Sequence, residues 1–221
     1  MKAFLKCASR WIIIIILPVL IILTGLRLVL TPVFLNVEYR MPGFPEDIYG
    51  FSLEDRLCYA TQTYRYLINS EEISFLEDLR FEDGTGIYNE RELSHMEDVQ
   101  ELIVLALRVW LGLLITILLL ILLLFIFKEN DVLRVSFLWS GWVSVGLVVI
   151  ILLLILIDFD KLFTQFHKIL SFPGDTWLFY PSDSLIRLLP LRFFSDAFIF
   201  VGLFTLITGL VLAVRFRGRR R

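Results

Sequence analysis

The stretch DKLFTQFHKILSFPGDTWLFYPSDSLIRLLPLRFF, residues 160–194, decides how this chain is organised. It carries prolines and several charged side chains, so it is too polar and too broken to cross a membrane. Long apolar runs nevertheless precede and follow it. It contains His167, and the only other histidine of the protein is His95, far earlier in the chain. The rest of the sequence indicates whether the fold brings the two imidazoles together.

Four apolar runs are long enough to span a membrane as helices, because about 20 helical residues cross a hydrocarbon layer of ~30 Å. They cover about residues 11–31, 102–127, 135–157 and 197–214. Hydrophobic residues make up 57% of the chain and charged residues 20%, which argues against an ordinary soluble domain. We therefore predict an all-α integral membrane protein with four transmembrane helices.

Basic residues predict the orientation of these helices, because loops rich in lysine and arginine stay in the cytoplasm. They cluster before the first run, between the second and third, and after the fourth. The residues are Lys2, Lys6, Arg10, Lys128, Arg134, Arg215, Arg217, Arg219, Arg220 and Arg221. Both termini are then cytoplasmic, and residues 32–100 and 158–196 lie outside. A cleaved signal peptide is the alternative for the first run, but no A-x-A-like site follows it.

The first outer segment, residues 32–100, reads as a small, mostly helical domain. Residues 36–98 carry 15 acidic residues and 5 arginines, but they also hold many aromatic side chains, which a disordered acidic tail would lack. Ser52 and Asp55 predict a capping box that opens a helix over residues 53–68. Ser70 is expected to cap a further short helix, and a helix starting near Asn89 should run unbroken into the second span. The acidic pair at Glu82 lacks the ligand spacing of an EF-hand, so no metal site is predicted.

Two arginines stand near the outer ends of the spans. Arg27 lies near the end of the first, and Arg108 lies one to two turns inside the second. Each could simply snorkel to lipid phosphate. A charge at membrane depth is costly, however, and is usually kept where it faces a partner or a polar cavity. The functional interpretation is a polar pocket at the outer membrane surface.

Both histidines are expected at that same outer surface. Helical spacing places His95 on one face with Arg91 and Asp98, and Arg108 follows about 20 Å further along the same helix. His167 comes shortly after the third span. Imidazole suits proton transfer near neutral pH, whereas two histidines alone are too few for a typical structural zinc site. A lone histidine is usually either a hydrogen-bonded interior residue or a surface residue, but this pair could also ligate a haem.

The segment around His167 is aromatic and contains two predicted turns, at Pro173-Gly174-Asp175 and Pro181-Ser182-Asp183. An interfacial aromatic belt explains such residues in any membrane protein. With two turns among them, Trp177 and its neighbours suggest instead a cap over the helix ends that covers a lipid-accessible pocket.

Two motifs in these segments resemble the bacterial lipoprotein intramolecular transacylase (Lit) family. The first is SHMEDV at residues 94–99. The second combines Phe166-His167, FPGDTW at residues 172–177, DSLI at residues 183–186 and Pro190. The four-span layout is similar too, so the resemblance covers essentially the whole chain. The long acidic first loop with Tyr49-Gly50-Phe51 departs from the family pattern.

The resemblance implies an enzyme of the bacterial plasma membrane with its site on the extracytoplasmic side. The family moves the sn-2 acyl chain of a diacylglyceryl-cysteine lipoprotein to the cysteine α-amino group, giving the lyso-form. Its catalytic histidines correspond to His95 and His167. The candidate substrate-binding residues are Arg27, Tyr39, Arg108, Trp177 and Asp183. The expected partners are the lipid bilayer and a diacylated lipoprotein, with no nucleic acid, cofactor or metal, and the protein is expected to be a monomer.

Two other functions compete with acyl transfer. A bis-histidine haem or redox protein would use His95 and His167 as axial ligands and would show a Soret band when purified. A non-enzymatic lipid- or partner-binding protein would recruit its partner through the acidic outer domain. It would keep its function when both histidines are removed.

Overall fold

The computed structural model describes residues 3–169 and 177–218, and these form an all-helical protein. Four of its helices are long and apolar enough to cross a membrane: α1 (Ala3–Val29), α5 (Glu90–Ile126), α6 (Asn130–Ile169) and α8 (Leu191–Arg215). This confirms the predicted fold class. The FPGDT part of the second motif, the turn at residues 173–175, Lys2 and the last three arginines lie outside the described residues.

The described helices divide between two compact units. The membrane unit comprises Met1–Arg27, Leu107–Ile157 and Ile199–Arg221, and the histidine unit comprises Leu28–Ala106 and Asp158–Phe198. At 1.5 Å per residue α5 is ~55 Å long, which exceeds a ~30 Å hydrocarbon layer. Its N-terminal part, up to Ala106, can therefore belong to the histidine unit. The predicted limits of the spans and outer segments stay predictions.

Within the membrane unit, small residues allow the third and fourth spanning helices to pack closely. A Cβ atom added to Gly141 would lie 2.6 Å from the carbonyl oxygen of Gly209, so only glycine fits there. Close approach at small residues is the usual way in which helices associate in lipid. The buried core around Ile13 and Leu124 lies in the same unit, where Trp110 donates its Nε1–H to the hydroxyl of Thr24 over 3.1 Å.

Short helices build the rest of the histidine unit: α2 (Pro32–Glu38), α3 (Leu53–Asn69), α4 (Ser74–Glu77) and α7 (Ser184–Leu188). Ser52 and Asp55 form the predicted capping box of α3, and a turn surrounds Gly84 at a φ of 85°. The prediction for Ser70 is wrong. Ser70 ends α3 in a left-handed conformation, and α4 begins after Ile73 without a side-chain cap.

The helix α6 breaks where its apolar run ends. Asp158 has φ −165° and ψ 91°, which is extended rather than helical backbone. Its carboxylate accepts a hydrogen bond from the backbone N–H of Lys161 over 2.9 Å, as an N-cap does. Asp158 therefore ends the apolar part of α6 and starts a second helical piece that continues to Ile169. The sequence predicted an outer segment from residue 158 but not this helix.

Candidate active site

The two histidines of the chain lie against each other in the histidine unit. The imidazole centroids of His95 and His167 are 6.0 Å apart, with 26° between the ring planes. The side chains are largely buried, since His95 is 6% and His167 8% exposed. The fold therefore brings together two residues that stand far apart in the sequence.

Local capping sets the position of each histidine. The helix α5 opens with Asn89, whose side-chain oxygen accepts from the backbone N–H of Glu92 over 3.1 Å. The carboxylate of Glu92 in turn accepts a hydrogen bond from the backbone N–H of Asn89 over 2.8 Å. This reciprocal box fixes the helix start between one and two turns before His95. Asp158 caps the start of the helical piece that carries His167.

A backbone hydrogen bond orients the ring of His167. Its Nδ1 lies 2.8 Å from the carbonyl oxygen of Phe163, one turn earlier on the same helix. A carbonyl oxygen can only accept, so Nδ1 must carry the hydrogen in this bond. In the neutral ring the lone pair then resides on Nε2, which is the atom that can take up a proton.

Aromatic rings surround the imidazole pair. Trp177 stacks on His167 with centroids 5.0 Å apart and 24° between the planes, and Phe163 approaches the same ring to 4.3 Å. Phe179 meets the ring of His95 edge-on at 5.2 Å. Such walls exclude water, which strengthens hydrogen bonds to charge that develops inside the site. The sequence predicted an aromatic cap, but not which ring would meet which histidine.

Asp183 lies in the same region, although its carboxylate is engaged with the protein. It pairs with the Arg91 guanidinium over 2.7 Å and accepts from the backbone N–H of Tyr180 over 2.7 Å. The Arg91 guanidinium lies 5.0 Å from the centroid of the Tyr180 ring. Asp183 thus connects residues 177–189, which we call the cap segment, to the start of α5.

Tyr39 is buried at the end of α2. Its hydroxyl donates a hydrogen bond to the backbone carbonyl of Leu188 over 2.6 Å, and the Arg56 guanidinium lies 4.8 Å from the centre of its ring. Burial raises the pKa of Tyr39 above its ordinary value, so the hydroxyl keeps its proton. This bond ties α2 to the cap segment, and substrate binding by Tyr39 stays a prediction.

Arg27 and Arg108 belong to the membrane unit. Arg27 is in the last turn of α1, and Arg108 is exposed on α5 beyond the part that carries His95. Their proposed contacts with substrate stay predictions.

Sequence reasoning overlooked Glu92 as a component of the site. This carboxylate is 1% exposed and also accepts from the backbone N–H of Leu185 over 2.7 Å, so it links α5 to α7. The N-x-x-E spacing of Asn89 and Glu92 was the available signal for its capping role. No local pattern indicates the second bond, because Leu185 lies far away in the sequence.

Known proteins resemble this chain over most of its length. A sequence model of the lipoprotein intramolecular transacylase Lit family matches residues 11–194. An uncharacterized protein of Aquifex aeolicus (strain VF5) is 27% identical over 209 residues, which are 91% of this chain and 89% of that protein.

Two solved structures share the fold. The structure of the membrane integral lipoprotein intramolecular transacylase Lit from Bacillus cereus superimposes with a TM-score of 0.81 at 19% identity, covering 98% of this chain and 96% of that one. A variant of the same protein with one histidine replaced by arginine gives a TM-score of 0.71 at 20% identity, covering 96% and 90%. The fold of this chain is thus shared with a solved membrane protein.

Proposed function

The chain belongs to the lipoprotein intramolecular transacylase family, and on that premise we propose that it converts diacylated lipoproteins to the lyso-form. The sn-2 acyl chain of the diacylglyceryl-cysteine moves to the α-amino group of the same cysteine. The observation that carries this proposal is the buried stack of His95 and His167, with ring centroids 6.0 Å apart. The stack supplies two imidazoles that can accept and donate protons in one buried site.

An intramolecular transfer needs no acyl-enzyme. The amine and the ester belong to one molecule, so holding them in attack geometry gives effective concentrations of about 10⁵ M or more in favourable cases. The site then has to orient the substrate and manage one proton. Two histidines among aromatic walls suit that task without a serine or cysteine nucleophile.

The orientation of His167 suggests how the proton moves. Nδ1 is held by the Phe163 carbonyl, so Nε2 is placed to take the proton from the neutral amine as its nitrogen attacks the ester carbonyl carbon. The N–H of His95 would stabilise the oxyanion of the tetrahedral intermediate. When the bond to the sn-2 oxygen breaks, His167 returns the same proton to that oxygen. One C–N bond forms, one C–O bond breaks, and the proton count is unchanged.

The aromatic rings would hold the apolar part of the substrate. Trp177 lies on the ring of His167, where it can contact a glyceryl or acyl group that reaches Nε2. Arg27 and Arg108 remain candidates for carbonyl or oxyanion contacts at the membrane surface, and Tyr39 could donate a hydrogen bond to substrate only by releasing the Leu188 carbonyl. The distribution of basic residues supports cytoplasmic termini and an extracytoplasmic site.

The test is acyl migration in cells. The protein is produced beside a diacylated lipoprotein, and the N-terminal lipopeptide is fragmented in a mass spectrometer. Transfer to nitrogen leaves the total mass unchanged but moves one acyl chain into the fragments that contain the α-amino group. We expect rearranged fragments with the wild type and none with His95→Ala or His167→Ala. Rearrangement by both variants, or none by the wild type, would refute the proposal.

A further inference from the structure

Two consecutive residues of α5 hold the cap segment, and the deeper of them is Glu92. One carboxylate oxygen accepts from the backbone N–H of Leu185 over 2.7 Å, and the other accepts from the backbone N–H of Asn89 over 2.8 Å. Glu92 therefore uses both oxygens at once, one toward its own helix and one toward the cap segment. Among the described residues, no other side chain accepts hydrogen bonds from both the backbone N–H of Asn89 and that of Leu185.

The Glu92 side chain is only 1% exposed, so other interactions must compensate for the cost of burying its carboxylate. Burial of a charge is costly unless the group is fully hydrogen-bonded, and bonds from backbone N–H groups to an ionised carboxylate are among the stronger ones in proteins. Of the common side chains, aspartate is too short to reach both backbone groups, and glutamine offers only one acceptor oxygen. Glutamate therefore satisfies both donors with its two oxygens, which glutamine cannot do.

The neighbouring residue makes a parallel connection. Arg91 pairs with Asp183 over 2.7 Å, and its guanidinium lies 5.7 Å from the centroid of Phe179. Phe179 in turn meets His95 at 5.2 Å. Residues 177 and 179 are the beginning of the cap segment and both face the imidazoles, so any movement of the segment moves the walls of the histidine pair.

We propose that Glu92 is a positioning residue, which holds the cap segment so that Trp177 and Phe179 press on the two histidines. It acts through these rings and touches no reacting atom. The inference rests on the proposed function, because the rings matter only if the histidines act on a substrate. Loss of this positioning should lower the rate at which bound substrate reacts more than it weakens substrate binding. Displacements of about 1 Å can cost as much as a hundredfold in rate.

The discriminating variant is Glu92→Gln. It keeps the shape of the side chain but replaces one acceptor oxygen by an NH₂ group, which faces a backbone N–H and breaks one of the two bonds. Glu90→Gln is the matched control, because Glu90 lies in the same first turn, is exposed, and loses the same charge. Asp183→Asn tests the parallel connection and serves if Glu92→Gln does not fold.

Two readouts separate this inference from the proposed function. The first is acyl migration on a purified diacylated lipopeptide. We expect Glu92→Gln to lower kcat about ten- to a hundredfold with KM nearly unchanged, Asp183→Asn to lower it less, and Glu90→Gln to match the wild type. The second is the rate at which diethyl pyrocarbonate modifies histidine, followed by peptide mapping. The chain has only two histidines, and both are in the site.

The second readout does not require activity. At a temperature well below the Tm of every variant, we expect the histidines of Glu92→Gln and Asp183→Asn to be modified several-fold faster than those of the wild type. Modification at the wild-type rate in both variants would overturn the inference even if acyl transfer is confirmed. A wild type without acyl transfer would instead refute the proposed function, while faster modification in the variants would still support the positioning of the cap segment.

Discussion

Glu38, at the end of α2, is a buried carboxyl whose titration should appear in the stability of the protein. Its side chain is 4% exposed. Burial, and then the hydrogen bond and charge of Asp196, raise the pKa of Glu38 from 4.5 to about 7, against the opposing charge of Arg192. The folded protein therefore keeps a proton on Glu38 at pH values where the unfolded chain has lost it.

The sign of the effect follows from this difference in protons. Between the unfolded pKa of 4.5 and the folded pKa of about 7, the folded state binds more protons, so the free energy of unfolding falls as pH rises. At about 1.4 kcal/mol for each pKa unit, the full loss is on the order of 3 kcal/mol. For a chain of this size that corresponds to several degrees in Tm.

The perturbation is Glu38→Gln, followed by thermal unfolding in detergent from about pH 5 to about pH 9. The amide N–H of glutamine can replace the acid O–H as donor to Asp196 at every pH. We expect the variant to match the wild type at the acid end and to exceed its Tm by several degrees at the alkaline end. Glu46→Gln is the control, because Glu46 is exposed and loses the same charge.

Parallel Tm curves for Glu38→Gln and the wild type across this range would refute the reasoning. They would mean that the two facing carboxyl groups do not share a proton in the folded protein. A gain in Tm over the wild type at alkaline pH that also occurs in Glu46→Gln would point to net charge rather than to this pair.

Three further predictions concern stability. Gly141→Ala should lower Tm, because its Cβ would lie 2.6 Å from the Gly209 carbonyl oxygen, whereas Gly146→Ala, with nothing within 4 Å, should not. Asp158→Ala should remove the cap of the second piece of α6, cost about 1 kcal/mol, and speed modification of His167 by diethyl pyrocarbonate; equal rates would contradict this. Ser52→Ala should lower the free energy of unfolding by about 1 kcal/mol through loss of the capping box of α3, and Ser52→Thr should restore most of it.

Features with local causes could be predicted from the sequence. The four spanning helices follow from composition and length, and the capping box at Ser52 and Asp55 follows from a four-residue pattern. The prediction for Ser70 failed because serine favours helix N-caps, whereas here the chain needed a residue to end α3 in the left-handed conformation. The helix beyond Asp158 was missed because an N-cap and a helix end look alike in a single sequence.

Features with long-range causes could be predicted only in part. Charge and hydropathy predicted that His95 and His167 lie at one membrane surface, but they could not give a ring separation of 6.0 Å. The pairing of Glu38 with Asp196, and the bond from Leu185 to Glu92, join segments that nothing in the sequence connects. Such contacts appear only after the helices have packed.

The most direct test of the central claim is a crossing experiment on the purified protein. Two diacylated lipopeptides are mixed, one with an isotopically heavy peptide and a light sn-2 chain, the other with a light peptide and a heavy sn-2 chain. We expect the wild type to give N-acylated products in which each peptide keeps its own sn-2 chain, and the His95→Asn and His167→Asn variants to give almost none. Products that carry the other peptide's chain, or undiminished transfer by both variants, would contradict an intramolecular transfer at the histidine pair.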